Sequence, residues 1–234
     1  MWGESTWGQL GVPVDTVCNH QLLPIPVPVG KEECLTMVAC GGTHTVCLTK
    51  DNVVYAWGRG DSGQLGIGRS WFSNTGPGAT GMDTPQRIVS LDEKKVVQIA
   101  CGAFHSAAVT CDGKLFTWGK EDYGMLGVGY TSDKHVPTAV DVGIEKIKSV
   151  SLGGWHTTSV TESGKCFVFG RNEYARLGLQ DSRSRVKPAM LCDFNDMEYT
   201  AAGGTHTLFI SSSGHAYSAG RVGYVTYIFI FTFH

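Results

Sequence analysis

CGGTHTVCLTKDNVVYAWGRGDSGQLGIG runs from Cys40 to Gly68, and the chain writes it repeatedly. It returns as CGAFHSAAVTCDGKLFTWGKEDYGMLGVG from Cys101 to Gly129 and as LGGWHTTSVTESGKCFVFGRNEYARLGLQ from Leu152 to Gln180. A fourth copy, AGGTHTLFISSSGHAYSAGR, spans Ala202 to Arg221. The chain opens on the tail of a copy, with Trp2-Gly3 and Gly8-Gln9-Leu10-Gly11 standing where Trp57-Gly58 and Gly63-Gln64-Leu65-Gly66 stand later. The histidines His44, His105, His156 and His206 fall 61, 51 and 50 residues apart. A fixed period of about 50 residues marks a repeat architecture.

Within each copy the grammar is that of short strands. Val96 to Ala100, His105 to Thr110 and Lys114 to Trp118 are apolar or alternating runs bounded by glycine and turn residues. Asp112-Gly113 lies between the second and third runs and predicts a two-residue type I′ hairpin, which needs φ > 0 at both positions. Asp51-Asn52, Ser163-Gly164 and Ser213-Gly214 hold that place in the other copies, and Asn52 is the side chain that best tolerates the conformation. Pro85, Pro137 and Pro188 follow the variable loops and suit an edge strand, because proline cannot donate to a central ladder. Each unit thus supplies about four antiparallel strands, and such a sheet buries both faces only by stacking on its neighbours. The expected fold is all-β: a β-propeller of four-stranded antiparallel blades, about four of them in an open arc. No 3.6-residue apolar period supports a helical solenoid.

The divisions expected are a blade end at 2–11, repeats at about 12–68, 69–129, 130–180 and 181–221, and a non-repeat apolar tail at 222–234. Trp71 to Thr84 is a glycine-rich insertion, and Leu22 to Val29 alternates apolar residues with prolines as an extended segment would. The tail, VGYVTYIFIFTFH, matches no part of the repeat and is too short for a membrane helix. It reads as a replaced end of a longer protein, as a short isoform's partner-completing tail, or as a membrane-touching segment. Open blade ends would favour self-association.

Composition narrows the function classes. The chain has 234 residues, 42% hydrophobic and 17% charged, with a net charge of -2 that leaves no footprint for nucleic-acid or membrane binding. The basic run Arg183-Ser-Arg185-Val-Lys187 reads as a solvated loop. Eight cysteines form no CxxC pair and fit buried, reduced thiols. No secretory signal is readable at the start, and the expected compartment is cytoplasmic, nuclear or both. One histidine per copy cannot converge on a metal, so His44, His105, His156 and His206 are expected to make structural hydrogen bonds. Trp57, Trp118 and Phe169 are expected to pack between blades. No phosphate loop and no H-E-x-x-H occurs, and nothing reads as a self-contained enzyme; no cofactor or metal is expected.

The pair G-G-x-H-[ST] and W-G-x-x-x-x-G-Q-L-G resembles the regulator of chromosome condensation repeat. The residues that carry it are Gly41, Gly42, His44, Trp57 and Gly58; Gly102, His105, Trp118 and Gly119; Gly153, His156, Phe169 and Gly170; and Gly203 and His206. The resemblance covers residues 2–221 and implies a seven-bladed propeller, of which this chain makes about four blades. A propeller with variable loops and no site chemistry reads first as a protein-interaction scaffold; the resemblance implies, as a second reading, guanine-nucleotide exchange on, or regulation of, a small Ran-like GTPase, for which no exchange wedge can be matched residue by residue. A third, UV-B sensing, would need Gly-Trp-Arg-His-Thr segments. Here the residues before the histidines are Thr43, Phe104, Trp155 and Thr205, with no arginine between Trp155 and His156, which argues against it. For partner binding the turns after each Trp-Gly are the candidates: Arg59, Asp61, Lys120, Asp122, Tyr123, Arg171, Glu173 and Tyr174. They are polar or aromatic and vary between copies, as partner-reading positions should.

Overall fold

The structure, a computed structural model, describes residues 3–13, 20–21, 26–30, 33–68, 81–129, 132–222, 225–226 and 229–231. Trp2, Cys18, residues 22–25 of the proline-alternating segment, 71–80 of the insertion and 223–224, 227–228 and 232–234 of the tail lie outside them. In chain order the strands are β1 (Gly3–Glu4), β2 (His20–Gln21), β3 (Leu35–Cys40), β4 (His44–Thr49), β5 (Val54–Arg59) and β6 (Gly81–Arg87). Next come β7 (Val96–Cys101), β8 (His105–Thr110), β9 (Leu115–Gly119), β10 (Lys134–Ala139), β11 (Ile147–Leu152), β12 (His156–Thr161), β13 (Cys166–Gly170) and β14 (Arg185–Met190). The last are β15 (Met197–Ala202), β16 (His206–Ser211), β17 (Ala216–Val222), β18 (Val225–Thr226) and β19 (Phe229–Phe231).

They form four antiparallel blades: β3-β4-β5-β6, β7-β8-β9-β10, β11-β12-β13-β14, and β15-β16-β17 with β19 beside β17. A blade does not coincide with one sequence copy, because its fourth strand comes from the start of the next. In the fourth blade that outer place is taken by the tail: Ser218, Tyr217 and Ala216 pair with Phe229, Ile230 and Phe231. Pro85, Pro137 and Pro188 all lie on the outer strands, at register shifts against the third strand, where a missing N–H is tolerated.

The hairpins differ from the expected type I′ turn. Gly113 (φ 80°), Gly164 (φ 80°), Gly214 (φ 85°) and Asn52 (φ 63°) are left-handed, but Asp112 and its counterparts are not. Gly113 N–H donates to the Thr110 carbonyl (2.9 Å) and Thr110 N–H to the Lys114 carbonyl (3.0 Å). That is a type I turn closed by a left-handed residue, the three-residue hairpin. Lys114 N–H also donates to the Thr110 hydroxyl (3.1 Å), so the loop is wider than the dipeptide suggested.

The apolar cores lie between blades. Val46, Leu48 and Ala56 of the first blade pack against Ile99, Ala108 and Trp118 of the second. Ala107 and Leu115 meet Val150, Phe167 and Phe169 of the third, and Val160 and Val168 meet Met197, Phe209 and Ala219 of the fourth. Hence every residue of β4, β8 and β12 is buried, whereas β16 alternates, with Leu208 and Ile210 exposed. First strands of successive blades also pack together. There the backbones close in: a Cβ on Gly102 would lie 2.5 Å from the Gly153 carbonyl oxygen, so glycine is needed for the approach. The cysteines correct the sequence expectation of burial. Cys47 and Cys166 are buried, Cys101 is half-buried, and Cys34, Cys40, Cys111 and Cys192 are exposed. All seven are free thiols.

Candidate functional site

Each joint between blades is built from the repeat residues. Ser106, Thr157 and Thr207, each following a repeat histidine, donate to the carbonyls of Gln64 (2.8 Å), Met125 (2.8 Å) and Arg176 (2.6 Å) in the turn of the preceding blade. A hydroxyl that donates there accepts on its other side, and His44, His105 and His156 supply Nε2–H at 2.8, 2.9 and 2.8 Å. Trp57 and Trp118 Nε1–H donate to the Gln9 (2.9 Å) and Gln64 (3.0 Å) carbonyls. Among the described residues, Nδ1 of His44 and of His156 has no partner. Burial lowers His44 to about 4 and His105 and His156 to about 3, with neighbouring imidazoles adding to the effect on His105 and Arg176 to that on His156. His206 is exposed. Among the described residues no group of His, Cys, Asp and Glu could hold a metal ion.

The same joints set out a face. The N–H after each of the repeat glycines Gly58, Gly119, Gly170 and Gly220 donates to the carbonyl before each repeat histidine: Arg59 to Thr43 (2.9 Å), Lys120 to Phe104 (3.0 Å), Arg171 to Trp155 (2.9 Å) and Arg221 to Thr205 (3.0 Å). The cation of one blade then stacks on a ring from the turn of the preceding blade. Arg59 lies 4.5 Å from the Trp7 ring centroid, Arg171 4.6 Å from Tyr123 and Arg221 5.1 Å from Tyr174. For Lys120 the corresponding residue is Ser62, which has no ring, and Lys120 instead sits 5.6 Å from Phe104 and 5.5 Å from Trp155. Phe104 and Trp155 are 5.1 Å apart, and Tyr123 meets Trp155 edge-on at 6.3 Å.

Three of these four cations pair with the carboxylate two residues on: Arg59 with Asp61 (2.6 Å), Lys120 with Asp122 (2.9 Å) and Arg171 with Glu173. Burial acts to raise Asp61, but the Arg59 guanidinium outweighs it and holds the carboxyl below its usual range. Tyr123 and Tyr174 are 48% and 37% exposed, and both have left-handed backbones (φ 60° and 63°) that turn the rings out. Ala175 (φ 54°) occupies the place of Gly63 and Gly124, adding a second strained residue to that turn.

Of the eight candidate residues, Lys120, Asp122, Tyr123, Arg171, Glu173 and Tyr174 come together in one linked row, while Arg59 and Asp61 stand with Trp7 one blade away. Sequence reasoning missed Trp7, Phe104, Trp155, Arg176 and Arg221 as members. The signal was present for Phe104 and Trp155, at the variable position before each histidine. Arg185 in the basic run pairs with Asp181 (2.8 Å), which accepts from Asn172 Nδ2 in the Arg171–Glu173 turn (2.7 Å to its carbonyl).

A family model described as the RCC1-like domain matches residues 1–224. The ultraviolet-B receptor UVR8 of Arabidopsis thaliana is 35% identical over 224 residues, covering 94% of this chain and 48% of that protein. The human E3 ubiquitin-protein ligase HERC2 is 36% identical over 228 residues, 94% of this chain and 4% of the ligase. The chain thus spans less than half the length of either. Among solved structures, human WBSCR16 superposes with a TM-score of 0.82 at 24% identity, covering 96% of this chain and 58% of that one. Prp20p of Saccharomyces cerevisiae, studied for its binding to Gsp1p and histones, gives 0.79 at 24% identity, with 94% and 52% covered. Both likenesses concern the fold.

Proposed function

Because this chain belongs to the RCC1-like domain family, we propose that it works as a protein–protein interaction scaffold and docks partners on the face made by its post-Trp-Gly turns. The observation that carries this reading is the pair Tyr123 and Tyr174. Each is held outward by a left-handed backbone that costs of the order of 1 kcal/mol and is stacked by an arginine of the next blade. A packed core gains nothing from exposed rings at strained positions, whereas an interface gains rigid, amphipathic anchors. The ion pairs Lys120–Asp122 and Arg171–Glu173 rim them with both signs of charge. Docking of this kind needs no covalent chemistry.

The test is affinity capture with the whole chain and with a Tyr123→Ala/Tyr174→Ala variant, with and without added GTP or GDP. Partners of the face drop out with the variant. Recovery unchanged by the variant sinks the reading. A small GTPase held only in the absence of nucleotide would replace the scaffold by the exchange reading, in which the same turns loosen a bound nucleotide.

A further inference from the structure

The row follows a rule that leaves one place open. In three turns the cation after the repeat glycine (Gly58, Gly119 or Gly170) has its own carboxylate two residues later: Asp61, Asp122 and Glu173. In the fourth copy the cation is Arg221, residue 223 is glycine, and residues 222–234 contain no Asp or Glu. Arg221 is exposed, stacks on Tyr174, and makes no ion pair among the described residues. Beside the same ring stands Arg176, 5.9 Å from its centroid, with a side chain only 1% exposed. Its Nε and Nη1 donate to the Glu173 and Gly204 carbonyls (both 3.0 Å). Its Nη2 lies 3.9 Å from Glu173 Oε2, an oxygen already paired with Arg171. Arg171 and Arg176 therefore share one carboxylate and Arg221, over the same Tyr174 ring as Arg176, has none among the described residues, while the Arg59 and Lys120 turns are balanced one to one. The excess is local, for the chain as a whole carries a net charge of -2.

We propose that this corner binds an acidic peptide segment of a partner protein. A carboxylate side chain of that segment takes, on Arg221, the place that Asp61, Asp122 and Glu173 take on the other three cations. The proposal rests on the scaffold reading and names its partner's chemistry. A guanidinium lying on an aromatic face keeps its N–H edge outward, where the planar fork matches the two oxygens of a carboxylate. Tyr174 fixes that plane from below. The segment then continues along the exposed Tyr123 and the half-buried Trp155, whose rings accept its apolar side chains.

Fluorescence anisotropy with the full chain tests this, using a labelled decapeptide of alternating Glu and Ala and its Gln-Ala counterpart as probes. The Glu peptide is expected to bind at least about tenfold more tightly, with a preference that weakens as salt is raised. Arg221→Glu abolishes the preference and Arg221→Lys keeps part of it, since the charge remains and the fork is lost. Lys50→Glu, an exposed change of the same charge on a hairpin loop, leaves it intact. Should R221E fail to melt like the parent, Arg221→Gln reads the same loss. Equal binding of the two peptides overturns the proposal, as does a preference that survives in R221E or R221Q. So does displacement of the Glu peptide by a single-stranded oligonucleotide at lower concentration. Two peptides bound equally but lost together in the Tyr123→Ala/Tyr174→Ala variant would leave the scaffold reading standing.

Discussion

The hydroxyl of Ser106 stands between His44 Nε2 and the Gln64 carbonyl, and Thr157 and Thr207 repeat the arrangement at the next two joints. Because each hydroxyl gives its proton to a carbonyl, each imidazole must arrive as a neutral Nε2–H donor. A second proton on Nδ1 of His44 or His156 would lie buried with no acceptor. Stability should therefore depend on pH with a definite sign. The unfolded histidines titrate near 6.5 and the folded ones near 4, 3 and 3, so acidification below about 6.5 loads protons onto the unfolded chain first. Glu121 opposes this. Its burial, against the Leu126 N–H that its Oε2 accepts (2.9 Å), raises it to about 7, so it takes up its proton in the folded state first. Three protons favour the unfolded chain and one the folded chain, a difference of two. Between pH 6 and 4.5 stability should fall by about 3 kcal/mol per pH unit. Glu121→Gln removes the opposing proton and should steepen the fall to about 4 kcal/mol per unit. Urea unfolding at several pH values measures both slopes; a flat profile would mean that the histidines charge without leaving their joints.

At the next scale the hairpins offer a comparison inside one chain, since four copies solve the same turn with Asn52, Gly113, Gly164 and Gly214 at the left-handed position. Gly113→Ala should destabilise by about 1 kcal/mol, because alanine pays for a positive φ that glycine adopts freely. The strain is compounded by Lys146, whose Cβ lies 2.5 Å from where the new methyl would sit. Asn52→Gly should be neutral to within about 0.5 kcal/mol, its φ being one that asparagine already tolerates. Thermal melts of the two variants decide it, and equal losses would show that turn conformation is not what the position selects. The blades themselves were legible in the chain, because glycine-bounded runs and recurring Trp, His and Pro mark the inner strands and, in the first three blades, the outer edge. The turn type was not. Asp112-Gly113 looks the same in a two-residue and a three-residue loop, and the difference lies in the Thr110 side chain and carbonyl closing on Lys114. Nor was β19 legible, for backbone pairing with β17 requires none of the repeat's side chains. In the candidate face, variation among copies marked the cations and their carboxylates. The rings on which Arg59, Arg171 and Arg221 lean come from the preceding blade, some 50 residues earlier, and only the folded joint brings them within 5.1 Å.

Over the whole molecule, the apolar clusters sit at blade boundaries, so the unit of stability is the joint between blades and not the blade. A linear array coupled through neighbours loses cooperativity when one joint is weakened. Trp118 is the residue on which to act: it is fully buried, belongs to the cluster joining the first and second blades, and donates to the Gln64 carbonyl that Ser106 also holds. Trp118→Ala should cost about 3–5 kcal/mol at that joint. Among the described residues, none of the third blade belongs to that cluster, so the loss should stay local. Hydrogen exchange should show protection falling along β3 to β5 while β11 to β13 keep theirs, since the third blade buries Phe167 and Phe169 against Ala107 and Leu115 of the second blade and Val160 and Val168 against Met197 and Phe209 of the fourth. The fourth blade, with Leu208 and Ile210 at 45% and 43% exposure, should exchange before the third in the parent chain as well. Uniform loss of protection across all four blades in the Trp118→Ala chain would mean that the arc unfolds as a single cooperative body. The joints would then be coupled beyond nearest neighbours, through the first strands that pack against one another from blade to blade.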